Sequence, residues 1–262
     1  RGFGDLNIQV EPSTLSMIAH FANGDARVAL NILEMAVYNA PENHQTLTIS
    51  PEIIEQMTSQ KSLLYDKNGE EHYNLISALH KSMRNSDVDG AIYWLARMLE
   101  AGEDPLYIAR RLVRFASEDI GMADSRALEI AVAVYQACHF IGMPECSVHL
   151  THAVTYLSLS VKSNALYIAY ESAKKDALKT IAEPVPLHLR NAPTRLMKDL
   201  NYGKGYQYAH DFQDKLTTMT CLPEALQNKE YYHPTEQGHE KKVALRLQQI
   251  KQWKRSHRQS KK

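Results

Sequence analysis

The sequence has no long uncharged apolar run and only three cysteines. No stretch reaches the roughly 18 apolar residues that cross a bilayer, and the first residues, Arg1 to Asp5, lack the apolar segment of a signal peptide. The spacing of Cys138, Cys146 and Cys221 matches neither a disulfide framework nor a CxxC metal pair. We therefore expect a soluble intracellular protein with buried thiols and no membrane partner.

The sequence also lacks a metal-binding pattern, although it contains twelve histidines. His149 and His152 lie three residues apart in a helical stretch, but no carboxylate or third ligand stands at motif spacing. We predict no metal site in this chain.

Charge of one sign is not in excess, because 30 basic residues balance 30 acidic residues. The balance is uneven along the chain: Lys241–Lys262 carries nine Lys or Arg and no Asp or Glu, so the remainder is nine units acidic. This distribution excludes a uniformly basic nucleic-acid coat but leaves room for a basic tail.

Apolar residues recur at helical spacing through most of the chain, and no sustained period-2 alternation is present. The sequence therefore predicts an all-α fold with one or two domains. The polar stretch Tyr65–Glu71 predicts the boundary between a domain at residues 1–70 and another at 71–262. Thr46–Ile49 is predicted as a short extended piece.

Helix signals mark the predicted elements. Pro12 begins a first helix, and Asp25 caps a second. A later helix begins at Asp104 and Pro105 and ends at Gly121. Asp124 begins the next helix. Inward positions in the second helix are predicted at Val28, Leu30, Leu33 and Val37.

The helical pattern stops at Pro184. The segment Pro184–Pro193 contains three prolines and cannot form a continuous helix. We expect an ordered loop there, followed by a short helix and the glycine-rich stretch Tyr202–Tyr206. A last helix is predicted to dock through Val243, Leu247, Ile250 and Trp253 and to be followed by a disordered end.

Five uninterrupted blocks together make a recognisable pattern. They are ISALHKSMR at Ile76–Arg84, YWLARMLEAGEDPLYIARRLVRFASEDIG at Tyr93–Gly121, FIGMPE at Phe140–Glu145, PVPLHLRNAPTR at Pro184–Arg195 and GKGYQYAHD at Gly203–Asp211. These blocks resemble the MgsA/RarA family of replication-linked AAA+ ATPases, the group that includes the Werner helicase-interacting protein. Asn23–Arg27 with Ala29–Asn31 is similar to the sensor-2 turn of an AAA+ lid.

The resemblance implies a small helical AAA+ lid at residues 1–70 and a helical oligomerisation domain at 71–262 with an irregular Pro/Gly-rich loop region. In that family an ATPase core precedes the lid, and the C-terminal domain forms tetramers. This sequence contains no GxxxxGK[ST] phosphate loop and no Walker B strand. We therefore expect an excised part of a longer ATPase, consistent with the start at Arg1. ATP and magnesium would serve the parent protein, and no cofactor is expected in this chain alone.

Arg27 is the first candidate site residue, because it lies in the first turn of its predicted helix, where the macrodipole disfavours a cation. The resemblance implies that it contacts a nucleotide phosphate as the sensor-2 arginine. Asn23, Gly24 and Asp25 would shape the turn that aims it. The alternative is an exposed or salt-bridged surface arginine.

A dense basic pattern surrounds the predicted helix at Asp104–Pro105. Candidate subunit-interface residues there are Arg97, Arg110, Arg111 and Arg114. On chemistry alone a solvated, salt-bridged face is the simpler interpretation, and DNA contact is the second functional alternative. Tyr93, Trp94 and Phe115 are predicted to lie in the core rather than to stack on bases.

Two further segments are candidate DNA contacts. Arg190, Arg195 and Lys204 alternate with tyrosines that could stack on unpaired bases. The basic tail adds Lys254, Arg255 and Arg258. A loop and a helix that simply pack onto the domain are the alternative interpretation.

The leading hypothesis is the lid and tetramerisation region of a DNA-dependent, clamp-loader-like AAA+ ATPase that acts in replication, recombination and repair at stalled forks. Partners implied by the resemblance are further copies of the chain, DNA, single-stranded DNA-binding protein, a RecQ-type helicase and replication polymerase components. A bacterial member would be cytoplasmic and nucleoid-associated, and a eukaryotic one nuclear. The rival hypothesis is a stand-alone helical nucleic-acid-binding module; a metabolic enzyme is a distant third.

Overall fold

The structure is a computed structural model that describes residues 3–4, 6–22, 26–43, 46–59 and 70–259. The described residues are predominantly helical, which confirms the predicted fold class. The α-helices are α1 Pro12–Ala22, α2 Ala26–Asn39, α3 Pro51–Ser59, α4 Glu70–Arg84, α5 Val88–Glu100, α6 Pro105–Phe115, α7 Arg126–Ile141, α8 Cys146–Leu159, α9 Ala165–Lys179, α10 Arg195–Asp199 and α11 Glu240–Gln259.

A small sheet accompanies the first three helices. Its strands are β1 Asn7–Val10, β2 Glu42–Asn43 and β3 Thr46–Ile49, in the order β1-β3-β2. β1 runs parallel to β3, and β2 runs antiparallel to it. The predicted extended piece at Thr46–Ile49 is confirmed. β1 was not predicted: its polar and apolar residues do alternate, but the run is only four residues long and is a weak strand signal.

The N-terminal helices share an apolar core formed by Ile18, Ile32, Ala36, Val37, Ile49 and Ile54. The predicted inward position of Leu30 is wrong, since this side chain is 65% exposed. Contacts of α2 with β3 and α3 use the face that carries Ile32 and Ala36. Leu30 lies to the side of that face and therefore remains in solvent.

Two compact units divide the chain. The first comprises Arg1–Leu112 and Ala133–Leu159, and within it α4, α5 and α8 pack together around fully buried side chains such as Leu79, Met83 and Leu95. The Asp87 carboxylate caps α5 by accepting a hydrogen bond from the backbone N–H of Gly90 at 2.9 Å. The Asp104 carboxylate accepts two N–H groups of the first turn of α6, which confirms the predicted cap.

The second unit comprises Val113–Val132 and Ser160–Lys262. A π-helical turn at Ala116–Ile120 leads to Gly121, which has φ of 53° and ends the helical run as predicted. Asp124 then accepts the backbone N–H of Arg126 at 3.1 Å and caps α7. Within this unit α9 packs against the π-helical turn, and α11 packs against the short turn at Gly121–Ala123.

The segment between α9 and α11 is an ordered, mostly irregular chain, as its prolines and glycines predicted. It contains α10 and single 3₁₀ turns at Leu187–Leu189, Ala209–Asp211 and Glu224–Leu226. The predicted domain boundary after residue 70 stays a prediction, because residues 60–69 lie outside the part of the chain that the structure describes.

Candidate functional site

Arg27 is the second residue of α2, and its side chain is exposed. The first turn of α2 contains no acidic residue, and the helix macrodipole disfavours a cation at this position. The predicted turn residues Asn23, Gly24 and Asp25 lie outside the described residues. The nucleotide role of Arg27 therefore stays a prediction.

Three of the four candidate interface arginines have local partners. The Arg97 guanidinium lies 5.5 Å from the centre of the half-buried Trp94 ring. Arg110 pairs with Asp104 at 3.4 Å, and Arg114 donates from Nε to a carboxylate oxygen of Glu118 at 2.6 Å. These exposed pairs fit the solvated, salt-bridged alternative and contribute little stability, on the order of 1 kcal/mol or less each.

Arg111 differs from the other three. It is half-buried, and its Nε is shielded from solvent without a hydrogen-bond partner among the described residues. Burial raises the pKa of Tyr107, one turn earlier in α6, while the charge of Arg111 opposes that rise. The guanidinium therefore lies within electrostatic reach of the Tyr107 hydroxyl.

The aromatic side chains near this helix divide between core and surface. Phe115 is 1% exposed, which confirms its predicted core position. Tyr93 is 57% exposed, so its predicted core position is wrong. Its ring instead makes an edge contact with Trp94, at 5.0 Å between ring centres, on the outer face of α5.

The candidate DNA residues of the loop region divide into fixed and exposed cations. Arg190 donates from Nε to the backbone oxygen of Val185 at 2.6 Å and stacks at 4.9 Å over the Tyr202 ring. This arginine holds the loop together. Arg195 and Lys204 are exposed and can reach a ligand.

The same loop forms an open cavity of about 710 Å³. It is lined by the proline-rich segment Glu183–Arg190 on one side and by Thr220–Gln227 on the other. His188 joins the two sides through a 2.9 Å contact between its Nε2 and the backbone oxygen of Thr220. The two sides of this loop therefore contact each other, while the alternative interpretation, a loop that packs onto the helical domain, stays a prediction.

The basic tail continues as helix α11 through Gln259, so the predicted disordered end does not begin before that residue. The predicted docking residues Val243, Leu247, Ile250 and Trp253 are all half-buried. Trp253 donates its indole N–H to Asp214 at 2.7 Å, and Arg258 donates two hydrogen bonds to the backbone oxygen of Thr218. Arg258 therefore has a structural role, while Arg255 is exposed and Lys254 half-buried.

Sequence reasoning missed Glu240, the first residue of α11, whose side chain is fully buried. Its carboxylate accepts hydrogen bonds from Ser163 Oγ at 2.7 Å, Tyr232 Oη at 2.8 Å, and the Thr235 backbone N–H and hydroxyl. Burial raises the pKa of Glu240, but these hydrogen bonds outweigh burial and leave the pKa below its ordinary value of 4.5. The ionised carboxylate is thus the anchor of α11.

The cysteines follow the prediction only in part. Cys138 and Cys146 are buried, and burial raises the pKa of Cys138 to about 12, so its thiol is unreactive at neutral pH. Cys221 is exposed, which corrects its predicted burial; it lies in the irregular segment before α11.

Two negative findings concern the part of the chain that the structure describes. No three His, Cys, Asp or Glu side chains there converge as a metal site. None of the described helices has both the length and the apolar character to span a membrane.

Comparison with known proteins shows which class of protein has this sequence and helical fold. The protein-family description "AAA C-terminal domain" matches residues 4–84, and "MgsA AAA+ ATPase C terminal" matches residues 85–251. Both descriptions refer to the C-terminal region of AAA+ ATPases. The chain belongs to the MgsA AAA+ ATPase family.

Curated relatives support the same assignment. Replication-associated recombination protein A of Coxiella burnetii is 42% identical over 98% of this chain and 59% of its own length. The Escherichia coli K12 protein of that name is 41% identical over 94% of this chain and 56% of its own length. ATPase WRNIP1 of Dictyostelium discoideum is 44% identical over 87% of this chain and 28% of its own length. The chain therefore spans less than two thirds of these relatives.

Proposed function

We propose that this chain is the lid and tetramerisation region of a DNA-dependent AAA+ ATPase that acts in replication, recombination and repair at stalled forks. The family match and the names of the relatives support this role. ATP and magnesium would be cofactors of the longer protein. In that protein Arg27 would contact a phosphate of the bound nucleotide and couple its hydrolysis to the lid.

The observation that carries the assembly role is an apolar stripe on the outer side of α9 and the residues after it. Tyr170 is 66% exposed, Leu178 65% and Ile181 82%. Side chains this large and this exposed, lying next to one another, are typical of an association surface. We call Tyr167, Tyr170, Lys174, Ala177, Leu178 and Ile181 the α9 stripe.

The α9 stripe has the spacing of a helix–helix seam. Tyr167, Tyr170, Lys174 and Ala177 alternate at three and four residues, as positions a and d of a heptad do, and Ile181 follows at the next spacing, two residues beyond the end of the helix. The exposed Ala177 would accept a bulky side chain from a facing helix. An antiparallel copy of the same helix could place Tyr170 against Ile181 and Lys174 against Ala177, which is a self-complementary contact about a twofold axis.

This stripe is a stronger interface candidate than the arginines predicted from the sequence. Arg97, Arg110 and Arg114 already have local partners, and exposed ion pairs add little to association. Burial of apolar area contributes about 25 cal/mol per Å² before the costs of association. The tetramer would therefore depend chiefly on apolar faces.

The assembly role can be tested by changing the stripe. Leu178→Glu with Ile181→Glu places carboxylates on the proposed seam, and we expect the mass measured by light scattering to fall from the tetramer to a smaller species. Leu30→Glu is the matched control, because Leu30 is equally exposed but lies in the lid. A tetramer that survives the double change, or a wild-type chain that is monomeric throughout, contradicts the proposal.

The rival function, a stand-alone nucleic-acid-binding module, is favoured by one observation. The exposed cations Arg195 and Lys204 lie in the same loop region as the exposed Tyr206 and Tyr208, each 53% exposed. A monomer whose DNA affinity falls steeply with salt would support this rival.

Partners and location follow the proposed role. We propose DNA and further copies of the chain as the direct partners. Single-stranded DNA-binding protein, a RecQ-type helicase and replication polymerase components would be partners of the longer protein. A bacterial protein would act in the cytoplasm at the nucleoid, and a eukaryotic one in the nucleus.

A further inference from the structure

Helix α6 presents an aromatic and basic face away from the core. Ile108, Ala109 and Leu112 are fully buried on one side of the helix. Tyr107, Arg110 and Arg111 lie on the other side, where three- and four-residue spacing makes them neighbours. This face is part of the first compact unit.

Helix α4 adds a second tyrosine to this face. Its His72 lies between two tyrosines: the ring centres are 5.1 Å apart for Tyr73 and 4.7 Å apart for Tyr107. Tyr73 is 64% exposed. Burial raises the pKa of Tyr107, Arg111 and Arg110 oppose that rise, and Glu103 and Tyr73 add to it. Tyr73, Tyr107, Arg110 and Arg111 thus form one surface, which we call the tyrosine–arginine cluster.

The acidic residues beside this cluster have other partners. Glu103 is buried and pairs with His72, and its second oxygen accepts the backbone N–H of Asp104 at 3.0 Å. Asp104 caps α6 and makes only a long, half-exposed pair with Arg110. Arg111 lacks an acidic partner among the described residues, and its shielded Nε has no acceptor there.

A guanidinium group binds phosphate oxygens in a bidentate manner, which suits Arg111 with Arg110 beside it. The exposed Tyr73 ring near these cations offers a flat face on which a base can stack, and the half-buried Tyr107 ring lies between Tyr73 and the two arginines in sequence. Duplex DNA keeps its base faces inside its own stack, so the aromatic part of this surface suits an unpaired strand.

We propose that the tyrosine–arginine cluster binds single-stranded DNA, with Arg111 and Arg110 on the phosphates and Tyr73 and Tyr107 stacked on bases. This proposal rests on the proposed role at DNA. It places a DNA-binding site on α4 and α6, outside the basic tail and the proline-rich loop. Tyr73 supplies the most accessible ring, and Arg111 supplies the cation whose charge is least neutralised.

The test is fluorescence anisotropy of the whole chain with a labelled oligothymidylate and with an abasic oligomer of the same length. Tyr73→Ala is expected to weaken oligothymidylate binding about tenfold and to leave abasic binding unchanged, because only stacking is lost. Tyr73→Phe retains the ring and should bind like the wild type. Arg111→Met should weaken both ligands and reduce the salt slope of binding by about one.

Two controls separate the cluster from general surface effects. Tyr38→Ala removes a 73% exposed tyrosine from α2, and Arg126→Met removes an exposed arginine from α7. Both should bind as the wild type does. Circular dichroism of each variant confirms that the helices remain.

The proposal is overturned if Tyr73→Ala affects both oligomers equally or neither, if Arg111→Met changes affinity no more than Arg126→Met, or if a blunt duplex competes as well as the single strand. Light scattering on the same samples keeps the two proposals apart. A chain that assembles but fails these binding tests overturns only the cluster, whereas a monomer that passes them overturns the assembly role.

Discussion

The hydrogen bonds of Glu240 hold the start of α11, so changes at this residue should lower the free energy of unfolding by a predictable amount. The carboxylate is fully buried, one oxygen accepts three donors and the other accepts Tyr232. Glu240→Gln keeps the shape: the amide oxygen can face the three donors, and the Tyr232 hydroxyl can rotate to accept from the amide. Only the charge assistance is lost, and we expect a cost of about 2 kcal/mol in the free energy of unfolding.

Glu240→Ala removes the acceptor altogether. The backbone N–H of Thr235 is then left without its partner, and the hydroxyls of Ser163 and Tyr232 lose theirs. We expect this variant to cost about 4 kcal/mol, because an unsatisfied buried donor costs about 1–3 kcal/mol and a cavity adds to it. The exposed Glu236 lies four residues earlier, and Glu236→Gln, the matched control, should stay within about 0.5 kcal/mol.

The assay is urea unfolding followed by the fluorescence of Trp253, which lies on α11. A Trp94→Phe background removes the other tryptophan of the chain. The difference between wild type and Glu240→Gln isolates Glu240, since all other titrating groups are shared.

The pH dependence of that difference has a definite sign. The pKa of Glu240 lies below its ordinary value of 4.5 in the folded protein, so its contribution is complete above that value and is lost as pH falls through the folded pKa. The two proteins should therefore converge in stability at strongly acidic pH. A Glu240→Gln cost no larger than that of the control, or a difference that persists unchanged in acid, would refute the reasoning.

Three other changes have definite expectations. Gly238→Ala should cost about 3 kcal/mol or more in the same unfolding assay, because at φ of +49° its Cβ would clash with the backbone carbonyl oxygen of Ala123. Gly142→Ala, at φ of +75° with open space around it, should cost only about 1 kcal/mol. Removal of Arg255–Lys262 should flatten the salt dependence of DNA binding, and an unchanged salt slope would assign the DNA contacts elsewhere. The same removal should lower the free energy of unfolding by about 1 kcal/mol, because the two hydrogen bonds to Thr218 are lost. Arg27→Ala in the longer ATPase should impair hydrolysis far more than folding, and unchanged steady-state turnover at saturating ATP would count against the sensor role.

Local signals in the sequence predicted the helical framework well. Asp104 and Asp124 cap helices as expected, and Gly121 ends a helical run, because capping and left-handed backbone depend on residues close in sequence. The proline-rich segment after α9 is irregular for the same reason: proline restricts its own backbone and that of its neighbour.

Features that depend on distant contacts were not predicted. Leu30 and Tyr93 have the spacing of core residues, but no packed element covers them enough to bury them. Glu240 resembles an ordinary acidic residue in the first turn of a helix, and one of its donors, Ser163, lies 77 positions away. The tyrosine–arginine cluster likewise requires the first turns of α4 and α6 to meet at His72 and Tyr107, which spacing within either helix cannot show.

The central claim is that the helical region assembles without nucleotide and without the lid. Light scattering of the segment Tyr73–Lys262, compared with the whole chain over a wide dilution series, tests it most directly. The account predicts a tetramer for both, stable on dilution, since stable interfaces bury on the order of 1,600 Å² or more. A stable dimer would reject the stoichiometry, and a folded segment that remains monomeric at every concentration would contradict the claim.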